Sequence, residues 1–205
     1  MVILGVDPGT LVTGYGVIES EGRGSKIRII EYGTIESKKI ATLPIRLETI
    51  YKRLEAVIER TNPDQFAIET AFYDKNIQST LKLGHARGVA ILAAVLRQVP
   101  TTEYSPREVK RAVAGNGNAS KPQVEYMIRS ILKIPASEKK LADAFDALAI
   151  AVTHAYRMNT AATGAFKNWE QFVSENPDRV KSAAPVVKSP LARTRSIAKS
   201  PARKK

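Results

Sequence analysis

At the amino end Val2, Leu4 and Val6 alternate with Ile3, Gly5 and Asp7, a strand apolar on both faces, as at a sheet centre. Thr13 to Ser20 reads as a second strand and Lys26 to Glu36 as a third. The turns between them carry Gly9 and Glu21-Gly-Arg-Gly24. Leu43 to Arg60 is an amphipathic helix, with Leu47, Ile50, Leu54, Val57 and Ile58 at helical spacing, and Asn62-Pro-Asp64 stops it. Gln65 to Thr70 is a fourth strand. Residues 76–98 form a long helix rich in Ala and Leu, and Val99 to Tyr104 a short strand. Ser105-Pro-Arg-Glu108 has the form of a capping box with Pro at the first helical position, and Ser120-Lys-Pro122 opens the next helix in the same way after Gly115-Asn-Gly-Asn118. Residues 137–157 give the last helix of the body.

Three consecutive strands with short turns pair antiparallel, and strands that arrive through helical crossovers pair parallel. The pattern therefore predicts a mixed five-stranded α/β sheet with helices on both faces over residues 1–157. A short helical extension follows at 158–176, where Asn168 to Ser174 carries the sole Trp. Residues 177–205, with Pro steps amid Lys and Arg, read as a disordered basic tail.

Composition adjusts this picture in three ways. The chain has 205 residues and no cysteine, which excludes disulfides and Cys-based zinc sites. The apolar run from Gly88 to Leu96 is about half the length that spans a bilayer, and the amino end lacks the basic region of a signal peptide, so the expectation is a cytoplasmic protein with no membrane partner. The net charge of +12 favours a polyanionic partner. Eight of those net charges lie in residues 177–205, which leaves a body of only +4.

The chemistry concentrates in acids. Asp7 ends the first strand and Glu69 lies near the end of the fourth, at the carboxyl edge where α/β folds keep their ligands. Asp143 and Asp146 are three apart on one face of the last helix, in line with Ile150 and Thr153. In a helix that starts near 137 they lie past the first turn, where the helix dipole offers little relief. One acid at a strand end is commonly a cap or a surface ion pair; four on two strand ends and one apolar helix are harder to explain so. Oxygen ligands alone point to Mg2+, with Mn2+ as the alternative. Two such ions about 4 Å apart suit in-line displacement at phosphorus. Paired carboxylates also serve glycoside hydrolysis, but that chemistry favours aromatic platforms.

The motifs Ile3-Leu-Gly-Val-Asp-Pro-Gly-Thr10, Thr13-Gly-Tyr-Gly-Val17, Phe66-Ala-Ile-Glu69, Leu81-Lys-Leu-Gly84, Ala86-Arg-Gly-Val89, Glu103-Tyr104 and Asp143-Ala-Phe-Asp-Ala-Leu-Ala-Ile150 resemble, in order, those of the RuvC family of bacterial Holliday junction resolvases. The resemblance runs over about residues 2–157. It implies a ribonuclease H-like fold, a homodimer, and Mg2+-dependent nicking of opposed strands of four-way junction DNA in recombination and repair, with RuvA and RuvB as branch-migration partners. It also implies catalytic and metal-binding roles for Asp7, Glu69, Asp143 and Asp146, with two ions per site. Phe72 falls where the family stacks an aromatic on junction bases, with Tyr73 beside it, and Lys110 and Lys121 fall where family lysines contact DNA. Phe72 as a core residue and the lysines on a solvated face are the plainer alternatives. The helix 76–98 corresponds to the family's dimer interface; its Ala90, Ala93 and Ala94 suit either that interface or burial against the sheet. His85 stands where Gln is usual, and it and His154 read as structural.

Two other functions fit parts of the chain. Asp7-Pro-Gly-Thr-Leu-Val-Thr-Gly14 is similar to the phosphate loop of sugar kinases and actin-like ATPases, but no second such loop follows. A junction-binding protein without cleavage would not need all four acids.

Overall fold

The computed structural model describes residues 1–21, 26–70, 77–138 and 141–162. Ten elements follow in order: β1 (Val2–Asp7), β2 (Val12–Glu21), β3 (Lys26–Glu36), α1 (Leu43–Thr61), β4 (Gln65–Glu69), α2 (Ile77–Leu96), β5 (Thr101–Tyr104), α3 (Pro106–Ala114), α4 (Lys121–Leu132) and α5 (Ala142–Ala162). The five strands form one sheet in the order β3-β2-β1-β4-β5. β1–β2 and β2–β3 pair antiparallel, while β1–β4 and β4–β5 pair parallel, as the connection lengths require. This is the mixed five-stranded sheet that the sequence pattern predicts, in the ribonuclease H-like arrangement that the resemblance implies.

Alternation along the strands divides the core. Leu4, Val6, Val17, Phe66 and Ile68 face α1 and α2, where Ile50, Leu54, Ala86, Ala90, Ala93 and Ala94 close the layer. Ile3, Ile18 and Ala67 face the opposite side, where α3, α4 and α5 pack. Gly5 and Asp7 share that second face with Ile3, and Glu69 shares it with Ala67. In register, Gly16 lies opposite Gly5 and Gly14 opposite Asp7. A Cβ on Gly5 would stand 2.2 Å from the Ala147 carbonyl oxygen, and one on Gly14 would stand 1.9 Å from that of Asp143. The bare backbone lets α5 lie directly on β1 and β2, with Ala144, Ala147, Ala151 and Ala155 fully buried.

Local signals set the ends. Asn62 adopts a left-handed conformation and its N–H caps α1 on the Ile58 carbonyl, at 2.8 Å. Ser105 and Glu108 form the expected capping box of α3. The last helix differs from expectation: it begins at Ala142, not near 137. Residues 135–138 form a turn, in which the Glu138 N–H donates to the Pro135 carbonyl. Asp143 consequently lies in the first turn of α5, where the dipole does favour its charge, contrary to the sequence reading. The alanines of α2 are also settled in favour of burial. Ala90, Ala93 and Ala94 pack inward, whereas Ile77, Leu81, Leu92 and Val95 are 49–68% exposed on the other face.

No helix among the described residues is long and apolar enough to cross a membrane. The expected helix at 168–174 and the basic tail at 177–205 lie outside the described residues.

Candidate active site

Parallel pairing puts Val6 beside Ile68, so the next residues, Asp7 and Glu69, end adjacent strands on the same face. α5 brings Asp146 to them across the glycine-bearing surface. These three acids line one cavity of about 310 Å3, together with Lys110 from α3, Lys121 from the start of α4, and Val109, Val124 and Ile150. Asp143, seated over Gly14, lines a neighbouring groove with Gly9, Thr10 and Leu11. Its charge still reaches Asp7. The turn between β1 and β2, which lines this groove, is held by Thr13, whose hydroxyl donates to the Gly9 carbonyl at 2.8 Å. Gly9 is required there, because a Cβ would stand 2.2 Å from the Val12 carbonyl oxygen.

The site holds more negative charge than its surroundings offset. Burial pushes the Asp7 carboxyl up from 3.8 to about 8, and repulsion from Glu69, Asp146 and Asp143 adds to the rise, against the attraction of Lys121. Burial also raises Glu69, while a hydrogen bond with Asp7 and the lysine charges oppose that rise. Asp146 is held by the Lys121 ammonium at 2.7 Å. That hydrogen bond raises the Lys121 pKa. Among the described residues no three acids converge as tightly as around a bound ion. The Lys121 ammonium on Asp146 offsets part of the negative charge, and burial with mutual repulsion favours the neutral form of Asp7. Hard divalent cations fit this donor set, since it offers carboxylate oxygens and no nitrogen or sulfur.

The remaining expected residues are partly placed. Lys110 and Lys121 both line the acidic cavity, and the Lys121 side chain is 78% exposed. Phe72 and Tyr73 lie outside the described residues. His85 is exposed on α2. His154 is buried, and its Nδ1 lies 3.0 Å from the Tyr104 hydroxyl in the core, as a structural histidine should. Sequence reasoning missed the cations of the groove beside Asp143, namely Lys38, Arg46 and Lys82. They come from three separate segments, and no motif spacing links them.

Comparison with known proteins bears on this arrangement. The family described as crossover junction endodeoxyribonuclease RuvC matches residues 3–154. A protein of that description from Cytophaga hutchinsonii is 45% identical over 184 residues, 88% of each chain. One from Edwardsiella ictaluri is 50% identical over 155 residues, 76% of this chain and 87% of its own. Among solved structures, Thermus thermophilus RuvC in complex with Holliday junction substrate superposes with a TM-score of 0.73 at 33% identity, covering 78% of this chain and 96% of the other.

Proposed function

Because the chain belongs to the RuvC family of crossover junction endodeoxyribonucleases, we propose that it resolves Holliday junctions in recombination and DNA repair by metal-dependent hydrolysis of phosphodiesters in two opposed strands. The observation that carries this reading is the meeting of strand-end and helix acids beside two lysines. Asp7, Glu69, Asp146, Lys110 and Lys121 share one cavity, and Asp143, in the neighbouring groove, acts on Asp7 through its charge. A solved relative of 33% identity is described in complex with junction DNA, which supports the same substrate here.

Asp7, Glu69, Asp143 and Asp146 would hold the divalent ions, Mg2+ or Mn2+ and two per site. Bound there, such ions activate water and stabilise charge on the leaving oxygen. The chain's own residues do the rest. Strand pairing fixes Asp7 and Glu69 relative to each other, and the close approach of α5 fixes Asp143 and Asp146 relative to both. Lys121 and Lys110 would draw the phosphate backbone to the acids, and Asp146, now paired with Lys121, would be one of the residues that hold the ions. Water adds to phosphorus and one phosphorus–oxygen ester bond breaks. Because burial and repulsion raise the Asp7 carboxyl, metal binding there would compete with protonation, which would tie activity to pH. Phe72 and Tyr73 belong to the same proposal as residues that meet the junction's bases.

Two nicks on opposed strands call for two copies related by a two-fold axis. The exposed stripe Ile77, Leu81, Gly84, Gly88, Leu92 and Val95 of α2 is the face we assign to that contact; at Gly84 and Gly88 nothing lies within 4 Å of an added Cβ. Partnership with RuvA and RuvB rests on family membership.

The test is cleavage of a synthetic four-way junction. Wild type with Mg2+ should nick two opposed strands symmetrically, EDTA should stop it, and Asp7→Asn should bind the junction without cutting. Cleavage that persists in EDTA, or that treats plain duplex equally, would overturn the proposal.

A further inference from the structure

The groove lined by the β1–β2 turn has no role in the reading above. It has a volume of about 550 Å3, and Lys38, Arg46, Lys82, Thr10 and Asp143 are among the residues that line it. Lys38 follows β3, Arg46 belongs to the first turn of α1 and Lys82 to the second turn of α2. Among the described residues that line it Asp143 is the sole acid, beside three cations. This is a local concentration, because residues 1–176 together carry only +4.

The walls are held in place. Half-buried Arg46 donates from Nε to the Ile40 carbonyl at 2.6 Å, which ties down the segment that bears Lys38. The Ser37 N–H donates to the Leu11 carbonyl at 2.8 Å, which joins that segment to the β1–β2 turn. The groove follows the acidic cavity along the chain: Asp7 lines the cavity, and Gly9 to Val12, just after it, line the groove. A strand with its reacting phosphate on the acids must extend in both directions. Lys110 and Lys121 meet it on one side. On the other, phosphates that leave a cluster of four carboxylates need positive charge to offset the repulsion.

We propose that Lys38, Arg46 and Lys82 form a second phosphate track, which binds the sugar–phosphate backbone of the cleaved strand beyond the reacting phosphate. This rests on the junction-nuclease reading and extends it. The groove's cations fit backbone phosphates, the contacts that set a strand's path.

The test measures binding of the full chain to a synthetic four-way junction by fluorescence anisotropy, in EDTA to prevent cleavage, from 50 to 200 mM KCl. Arg46 is left intact, since it also anchors the wall. The double variant Lys38→Ala/Lys82→Ala should reduce the slope of log affinity against log salt by roughly 1–2, at about 0.9 for each phosphate no longer neutralised. A control, Lys26→Ala/Lys52→Ala, removes the same charge elsewhere. Lys26 starts β3 at the opposite end of the sheet, and Lys52 pairs with Glu48 on α1. The control should keep the wild-type slope. Junctions that carry uncharged methylphosphonates next to the cleaved phosphate provide a second readout. They should weaken wild type at least fivefold on one side of that phosphate, and the groove variant hardly at all there. A groove variant that keeps the wild-type slope overturns the track, as does an equal loss in both doubles, which would be an effect of net charge. Wild type that fails to prefer junctions over duplex would instead remove the nuclease reading beneath it.

Discussion

Asp7→Asn is expected to stabilise the metal-free protein at alkaline pH while it abolishes the response to divalent ions. The Asp7 carboxyl ionises at 3.8 in an unfolded chain and at about 8 in the folded one. Between those values the folded state binds the extra proton. Stability from the neutral form is therefore complete below pH 4 and lost as pH rises through 8. Four units at ~1.4 kcal/mol each set a ceiling of roughly 6 kcal/mol. Asp7 keeps part of its surface in solvent and Lys121 offsets part of the repulsion, so about 1–3 kcal/mol should return with asparagine at pH 8.5. For a chain of this length that corresponds to a rise in Tm of roughly 3–10 °C, with little change at pH 5. Thermal melts in EDTA from pH 5 to 9 measure it. Adding Mg2+ should then raise the wild-type Tm, more at pH 8.5 than at pH 6, because the ions displace a proton. The variant should gain little. If Asp7→Asn melts below wild type by the same margin at pH 5 and pH 8.5, the crowded-carboxylate reasoning is refuted.

Lys121→Met should tighten Mn2+ binding severalfold in calorimetry, since the ammonium that competes for Asp146 is gone, while it weakens junction binding; unchanged Mn2+ affinity would count against the competition. Gly14→Ala should push the first turn of α5 off the sheet, and so remove the Mg2+-induced rise in Tm with little change in circular dichroism. Gly5→Ala meets the middle of the same helix and should cost about 3 kcal/mol of stability in urea unfolding. Leu92→Glu should give folded monomers by light scattering. Ala90→Glu, buried in the protomer, should instead fail to fold stably, and a well-folded Ala90→Glu monomer would reassign the faces of α2.

Much of the fold was legible because periodicity and turn chemistry agree along the chain. The apolar runs Val2–Val6 and Phe66–Ile68 put Asp7 and Glu69 at strand ends, and the capping boxes at Ser105 and Ser120 marked two helix starts. The start of α5 was misread because Ala136 to Leu141 contains good helix formers, and only the turn at Pro135 shows where winding is broken. That shift moves Asp143 into the first turn and changes its electrostatics. The alanines of α2 carry no sign of direction by themselves; the large residues on the opposite face decide it. Lys38, Arg46 and Lys82 were invisible as a group, since their proximity depends on how three segments converge around the β1–β2 turn.

The glycine-bearing face of the sheet has a consequence for how the chain is made. β1 and β4, with Asp7 and Glu69, leave the ribosome long before α5. A chain terminated before residue 142 lacks Asp143 and Asp146. It also lacks the helix that covers Gly5, Gly14 and Gly16 and buries Ile3 and Ile18. The segment that completes the acid cluster is thus the one that seals the core. Incomplete translation products cannot assemble the cutting site, and their uncovered apolar face exposes them to proteases and chaperones. The four acids are in this way brought together only once folding is finished.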